Sequence, residues 1–302
     1  MNMLKPILKW AGGKSQLLPA IQERLPSYIV EGQDFCLVEP FFGGGALSFF
    51  MLSEYKNLKK MIINDMNQDL VNVYQVVRDN VQELMVKLDQ FQAEYDVLTS
   101  KEEKEPYFLL KRKTFNQKNQ DNITQAAIFI FLNKAAFNGL YRVNKKNEFN
   151  VPIGSYKKPI FYNKNILTNL SEKLAFTQIL CGDYTEIQEH LPMDLPSFFY
   201  LDPPYRPISQ TASFNQYGAN GFNDEEQRRL SYFCRDLNQK GHQFLLSNSD
   251  PKNTDITDSF FDDLYYGFNI ERVAANRAIS ASTVGRKLIT ELMIYNYAVS
   301  GV

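Results

Sequence analysis

The sequence predicts an α/β protein in which helices cover both faces of a parallel sheet. Short apolar runs end at Gly, Asp or Pro, amphipathic stretches lie between them, and strand alternates with helix along the chain. The chain has 302 residues, of which 44% are hydrophobic and 22% charged. This composition is typical of a globular protein with a sizeable core and excludes disordered and collagen-like classes.

Five apolar runs are predicted to be strands. In chain order they are Phe35 to Glu39, Met61 to Ile63, Phe176 to Leu180, Phe198 to Leu201 and Phe244 to Leu246. The clearest helix spans Asp224 to Lys240, where apolar residues recur at helical spacing. Asn223 is expected to cap the start of this helix, and Gly241 is expected to close its end.

The alternation of strand and helix stops from about Val71 to Lys164. Within this stretch, residues 101–164 carry 13 Lys and Arg against 5 Asp and Glu, although the whole chain has a net charge of −1. The run YRVNKKNEFNVP predicts a β-hairpin around a polar turn from Asn144 to Asn147. We therefore predict one domain formed by residues 1–70 and 165–302, and a mainly helical, basic insertion formed by residues 71–164.

Neither disulfides, metal sites nor membrane spans are indicated. The three cysteines, Cys36, Cys181 and Cys234, form no CxxC pair, which favours a reducing compartment. His190 and His242 belong to no ligand pattern, so the sequence indicates no metal. No apolar stretch approaches the roughly 18 to 20 residues that a bilayer crossing needs, and no signal peptide is evident. We expect a cytoplasmic protein with no membrane partner.

A glycine cluster in EPFFGGGAL, residues 39–47, lies between a predicted strand and a predicted helix. Glycines at such a turn let the backbone approach a ligand closely. Asp65 follows Gly43 by 22 residues at the end of the next strand, where a carboxylate can bind a ribose. This spacing favours a ribose-bearing cofactor over a plain turn, but NAD and S-adenosylmethionine satisfy it equally.

The segment KWAGGKS, which starts at Lys9, ends like a phosphate-binding loop. Leu8 stands where that loop requires glycine and no strand precedes it, so we reject a nucleoside triphosphatase. Trp10 is the only tryptophan of the chain. Its surroundings fit either a core anchor or an aromatic wall for a ligand.

The tetrapeptide from Asp202 to Tyr205 reads DPPY and follows the apolar run SFFYL. A strand would deliver Asp202 to the carboxyl edge of the sheet, where parallel sheets bind ligands. Proline has no N–H, so Pro203 can present only its carbonyl oxygen. One carboxylate and one carbonyl suit an NH₂ group, and the ring of Tyr205 can stack on a planar base. The alternative is an ordinary proline turn after a buried strand.

These motifs resemble the Dam-like, GATC-methylating DNA adenine-N6 methyltransferases, and the resemblance spans nearly the whole chain. The matching segments are KWAGGK, EPFFGGGA, NDMNQDL, FNGLYRVN, EFNVPIGSY, DPPY and LSNSD. The resemblance implies a Rossmann-like methyltransferase fold, S-adenosylmethionine as cofactor and double-stranded DNA as partner. It also implies methyl transfer to N6 of a flipped adenine, and it makes the basic insertion the target-recognition domain, whose charge would face the phosphates.

The resemblance also implies the role of each site residue. The catalytic residues would be Asp202, Pro203 and Tyr205. The cofactor contacts would be Trp10, Lys14, Phe41, Gly43, Gly45, Asp65, Asp183 and Asp202. The DNA contacts would be Lys9 and Arg142 on guanines, Leu140 on a thymine methyl, Asn138 near the displaced nucleotide and Phe137 as a wedge in the stack. If these residues do not contact DNA, Lys9 and Arg142 are expected to be solvated charges, and Phe137 and Leu140 are expected to belong to the core.

The departure from the family pattern that matters most is at Ser155, and Phe137 in place of a tyrosine is a milder one. Ser155 stands in the loop after FNVPIG, where several members have an arginine, so a base or phosphate contact is absent or relocated. Three alternatives remain: an RNA or protein methyltransferase, a dinucleotide-dependent oxidoreductase, and a DNA-binding regulator without activity. The FNGLYRVN segment, the DPPY tetrapeptide and the intact candidate site, respectively, argue against them. We expect a monomer, either paired with a restriction endonuclease or acting alone.

Overall fold

The computed structural model describes residues 4–206, 222–275 and 289–299, which include every predicted site residue. The chain divides into two compact units. The first unit consists of Met1–Gly13, Phe42–Glu54 and Ile63–Tyr184, and the second consists of Lys14–Phe41, Tyr55–Ile62 and Thr185–Val302. The predicted functional boundaries near residues 71 and 164 stay a prediction.

Seven strands of the described residues form one sheet. They are β1 (Phe35–Glu39), β2 (Leu58–Asp65), β3 (Thr177–Cys181), β4 (Ser197–Leu201), β5 (Gln243–Ser249), β6 (Asn269–Ala275) and β7 (Ile289–Tyr295). Their order is β3-β2-β1-β4-β5-β7-β6. Strands β1, β4 and β5 pair in parallel, and β1 and β4 are buried along their whole length. The five predicted strands and the Rossmann-like order of β1 to β5 are confirmed.

We predicted a parallel sheet, and this is wrong at one side of the sheet. Strand β7 runs antiparallel to both β5 and β6. Neither β6 nor β7 was predicted. Strand β6 carries Glu271 and Arg272 in its middle, and in β7 Glu291 precedes a buried apolar run from Leu292 to Tyr295. Strand β6 lies at the edge of the sheet, where charges are tolerated because one side of the strand is not paired, whereas β7 lies between β5 and β6.

Six longer helices belong to the first unit. They are α3 (Ala46–Glu54), α4 (Gln68–Asp79), α5 (Val81–Asp96), α6 (Lys101–Gln117), α7 (Asn122–Ala135) and α8 (Lys164–Leu174). Helix α7 is apolar nearly all round, and it packs against α4, α5 and α6. The mainly helical character predicted for residues 71–164 is therefore confirmed.

The predicted hairpin is present in a short form, with its turn from Asn144 to Asn147 and an antiparallel bridge beside that turn. Only single antiparallel bridges form, between Val143 and Phe149 and between Ala136 and Ile153. The side chain of Asn116 on α6 binds both the N–H of Phe149, at 2.9 Å, and its carbonyl, at 3.1 Å. The ladder bonds beside the first bridge run from the N–H of Asn150 to the carbonyl of Arg142 at 3.1 Å and from the N–H of Asn144 to the carbonyl of Glu148 at 2.9 Å. Asn116 therefore binds the groups of Phe149 that face away from Val143.

The described helices of the second unit are α1 (Leu18–Gln22), α2 (Ser27–Val30), α9 (Asp224–Gln239) and α10 (Phe260–Leu264). Helix α9 confirms the clearest helix prediction. The Asn223 side chain accepts hydrogen bonds from the N–H groups of Glu225 and Glu226, and Gly241 ends the helix with a φ of +79°. Within the described ranges, none of the helices could cross a membrane.

Candidate active site

The glycine turn of the first unit, Phe42 to Gly45, leads directly into α3. Gly43 and Gly45 have φ values of +52° and +71°, which strain any residue with a side chain. A Cβ atom on Gly45 would lie 2.4 Å from Phe42 Cζ, and one on Gly44 would lie 3.1 Å from Trp10 Cβ. The turn therefore requires glycine, and it presents bare backbone.

Asp65, at the end of β2, holds this turn. Its Oδ2 accepts the N–H of Gly43 and its Oδ1 accepts the N–H of Asn67, each at 2.9 Å. Burial raises the pKa of Asp65, while these two backbone hydrogen bonds oppose the shift. Each carboxylate oxygen can accept a second hydrogen bond, so holding the turn is compatible with binding a ribose hydroxyl.

Asn64 connects the turn with the segment that carries Asp183. Its carbonyl accepts the N–H of Phe42 at 2.9 Å, and its side-chain Nδ2 donates to the carbonyl of Gly182 at 3.0 Å. Asp183 follows Gly182 directly after β3, so the first unit brings its two predicted cofactor carboxylates close to one turn. Asn64 was not among the predicted site residues, although it begins the NDMNQDL motif.

Trp10 completes this cluster of the first unit. Its ring stacks on that of Tyr141, with centroids 5.1 Å apart and planes at 27°. Its Cδ1 and Cβ atoms lie against the positions of Gly43 and Gly44. A half-buried aromatic ring, two carboxylates and a glycine turn fit a ligand that carries an adenosine.

Asp202 lies in the second unit, immediately after β4. Its Oδ1 accepts a hydrogen bond from Ser247 Oγ at 2.9 Å and pairs with Lys14 Nζ at 3.1 Å. None of the described residues donates a hydrogen bond to Asp202 Oδ2 or to the carbonyl of Pro203. Burial raises the pKa of Asp202, and the charge of Lys14 opposes that shift. The tetrapeptide thus keeps the two acceptors that its sequence predicts.

Tyr205 is held beside this carboxylate. Its hydroxyl donates to Glu291 Oε2 at 2.7 Å, and Lys14 Nζ lies 4.1 Å from the centre of its ring. Burial raises the pKa of Tyr205 well above its usual value, so the hydroxyl stays a donor. Lys14, Asp202 and Tyr205 are therefore brought together. Glu291 and Ser247 were not among the predicted site residues, although Ser247 lies in the LSNSD motif.

Phe41, the remaining predicted cofactor contact, also belongs to the second unit. Its ring meets that of Phe222 edge to face, with centroids 5.8 Å apart. Its predicted role at the cofactor stays a prediction.

The predicted DNA contacts lie on the surface of the first unit. Phe137 is 50% exposed and Leu140 is 44% exposed, so neither belongs to the core. Asn138 is exposed too, in the left-handed region with a φ of +54°. Arg142 Nε donates to Asn150 Oδ1 at 2.8 Å, and its terminal amino groups bind no described residue. Lys9 Nζ donates to the Tyr156 hydroxyl at 3.4 Å.

The sheet order, the glycine turn and the DPPY cluster define the class of methyltransferases that use S-adenosylmethionine. Residues 10–279 match the D12 class N6 adenine-specific DNA methyltransferases, and the chain belongs to this family. It is therefore an adenine-specific DNA methyltransferase. The predicted family, enzyme class and cofactor are confirmed, and the oxidoreductase and the RNA or protein methyltransferase alternatives are excluded.

Similar proteins support this assignment along nearly the full length. Type II methyltransferase M.MjaIII of Methanocaldococcus jannaschii is 45% identical, covering 97% of this chain and 99% of its own. Type II methyltransferase M1.LlaDCHI of Lactococcus lactis subsp. cremoris is 38% identical, with coverages of 97% and 96%. DNA adenine methylase of Escherichia coli K12 is 34% identical, with coverages of 97% and 95%.

Proposed function

We propose that the enzyme flips an adenine out of GATC in duplex DNA and methylates its N6 atom at the DPPY cluster. The observation that carries this proposal is the pair of open acceptors, Asp202 Oδ2 and the Pro203 carbonyl, beside the ring of Tyr205. An adenine amino group has two hydrogens for two acceptors. It reaches such a site only when the base leaves the stack.

The chain's own residues would prepare the amino group. The nitrogen is a poor nucleophile because its lone pair is delocalised into the ring. If Asp202 and the Pro203 carbonyl each accept one hydrogen bond from the amino group, the nitrogen becomes more tetrahedral. Its lone pair then turns out of the plane of the base. The carboxylate also stabilises the positive charge that develops on the nitrogen. S-adenosylmethionine supplies the methyl group, which its positively charged sulfur activates.

Lys14 has a supporting role in this proposal. Its ammonium group pairs with Oδ1 of Asp202, which leaves Oδ2 to the substrate. The positive charge also opposes the rise in the pKa of Asp202 that burial causes. Trp10, Asp65, Asp183 and the glycine turn would hold the adenosine part of the cofactor and its methionine part, as the resemblance implies.

The surface of the first unit supports the GATC proposal. Lys9 and Arg142 would contact guanines, Leu140 a thymine methyl and Asn138 the backbone near the displaced nucleotide, while Phe137 would enter the stack. All five residues are exposed and available to DNA. Relatives named DNA adenine methylase are 33 to 35% identical to this chain, which also supports the proposal.

A transfer assay tests the function. With S-adenosylmethionine labelled in its methyl group, a duplex that contains GATC should accept the label. The same duplex with N6-methyladenine in the GATC of both strands should not. A duplex with one base pair of the site exchanged should be a poor substrate. Equal labelling of duplexes with and without GATC would contradict the site specificity, and absence of label from every duplex would contradict the activity.

The rate of transfer should fall towards acid pH. Protonation of Asp202 removes the negative charge that would stabilise the developing cation on the substrate, and burial raises the pKa of this group. The acid limb of the single-turnover rate should therefore lie above the ordinary range of an aspartate. The same shift means that the folded chain binds this proton more tightly than the unfolded chain. The group's contribution to folding stability is thus largest at low pH and is lost as pH rises from its unfolded pKa through its folded pKa.

Replacement of Lys14 assigns this limb. Lys14→Met removes the charge that opposes the shift, so the limb should move further upward. DNA binding measured at each pH separates loss of binding from loss of transfer. An acid limb that Lys14→Met does not move would show that another group controls the profile.

Pairing with a restriction endonuclease, the monomeric state and the cytoplasmic location stay predictions. Neighbouring genes would show whether an endonuclease accompanies the enzyme. Light scattering with and without duplex DNA would measure how many copies act together.

A further inference from the structure

We propose that Asn133 is a positioning residue for sequence discrimination, because its buried side chain joins Lys9 to the loop from Phe137 to Arg142. Asn133 lies near the end of α7 and is 0% exposed. Its Oδ1 accepts the N–H of Lys9 at 2.9 Å, and its Nδ2 donates to the carbonyls of Lys9 at 2.8 Å and Gly139 at 3.0 Å. The inference rests on the proposed DNA contacts.

The bonds from Asn133 use the full donor capacity of the amide. Both hydrogens of Nδ2 are engaged, and Oδ1 is engaged once. The Lys9 backbone is held at its N–H and at its carbonyl, which fixes its direction as well as its place. One side chain thereby connects segments that are 124 residues apart in the sequence.

The side chain of Lys9 is guided along the same loop. A Cβ atom on Gly139 would lie 2.3 Å from Lys9 Cδ, so the lysine stem crosses the space that a side chain would fill. Gly139 also has a φ of +66°. Beyond this contact, Lys9 Nζ reaches the Tyr156 hydroxyl, and it lies 5.3 Å from the centre of the Tyr156 ring. Asn133, Gly139 and Tyr156 together aim the ammonium group.

Burying the amide of Asn133 in α7 lowers folding stability unless its hydrogen bonds offset the loss of hydration. The preceding residues of α7, from Ala126 to Leu132, are apolar and buried, and a buried amide without partners destabilises a core. An apolar side chain could fill the same space but could not link Lys9 with Gly139. Hydrogen bonds to base edges tolerate only small displacements, on the order of 0.5 Å. A fixed distance between Lys9 and Arg142 therefore serves the reading of two bases at once.

The test compares discrimination in two variants with that of the wild type. In Asn133→Ser the link is lost, and in Gly139→Ala the lysine stem is displaced while Asn133 remains. We expect the ratio of kcat/KM between GATC and a duplex with one guanine pair exchanged to fall about 10-fold in each. The value of kcat on GATC should fall less, because the DPPY cluster is unchanged.

Gln125→Ser is the matched control. Gln125 is a buried amide on the same helix, and its Nε2 donates to the carbonyl of Phe115 at 3.0 Å, away from the DNA contacts. It should lower Tm as Asn133→Ser does and leave discrimination unchanged. Unchanged discrimination in both Asn133→Ser and Gly139→Ala would overturn the proposal. If Asn133→Ser does not fold, unchanged discrimination in Gly139→Ala alone would overturn it. The proposed function fails separately, if the wild type itself does not discriminate.

Discussion

Replacing Asp202 by asparagine should lower the single-turnover rate of methyl transfer by at least about 10³-fold, the upper range for removal of one electrostatic contact. Asparagine keeps the shape, and its amide oxygen can still accept a hydrogen bond from Ser247. It has no negative charge, so it stabilises neither Lys14 nor a developing cation on the substrate. If its NH₂ replaces Oδ2, it meets the adenine amino group donor to donor. Binding of duplex DNA should change little, since the predicted DNA contacts are untouched.

Asp258→Asn provides the control for this substitution. Asp258 is also partly buried and pairs with one cation, Arg206, at 2.7 Å. Its side chain is 26% exposed, against 18% for Asp202. The control should lose some stability and keep its transfer rate. A rate for Asp202→Asn within tenfold of the wild type would remove the carboxylate from the proposed mechanism.

The acceptor pair could be predicted from the sequence because its geometry is local. Asp202 and Pro203 are adjacent, they follow an apolar run, and proline has no N–H to compete for the ligand. Their supports are not local. Lys14, Ser247 and Glu291 come from distant parts of the chain, and only folding of the second unit places them around the tetrapeptide.

The same distinction separates the correct and incorrect parts of the fold prediction. Strands β1 and β4 are buried throughout, so their apolar runs are visible without knowledge of their neighbours. The hairpin around Asn144 is short, and the backbone groups of Phe149 that face away from Val143 bind the side chain of Asn116 on α6. No local sequence pattern reveals such a distant partner. Asn133 could not be predicted from the sequence either, because its partner Lys9 is 124 residues away.

Replacing Arg142 by alanine should reduce discrimination at one guanine by about 10- to 100-fold, from the roughly 1 to 3 kcal/mol that a two-pronged arginine contact provides. Arg142 Nε donates a hydrogen bond to Asn150 Oδ1, whereas its two terminal amino groups bind none of the described residues. The backbone is fixed as well, because the Arg142 carbonyl accepts the N–H of Asn150 at 3.1 Å. Such an arginine is already oriented before DNA binds, so its loss removes a specific contact rather than a diffuse charge.

Two further variants separate that contact from the effect of charge. Arg142→Lys keeps the charge but loses the planar fork, so it should lose most of the discrimination while binding DNA more tightly than Arg142→Ala. Lys145→Ala removes an exposed charge from the neighbouring turn, and it should weaken binding to all duplexes alike. The measurement is kcat/KM on duplexes in which each guanine pair is exchanged in turn. If Arg142→Ala weakened all duplexes equally, as Lys145→Ala should, Arg142 would contact phosphate, and another residue would read the guanine.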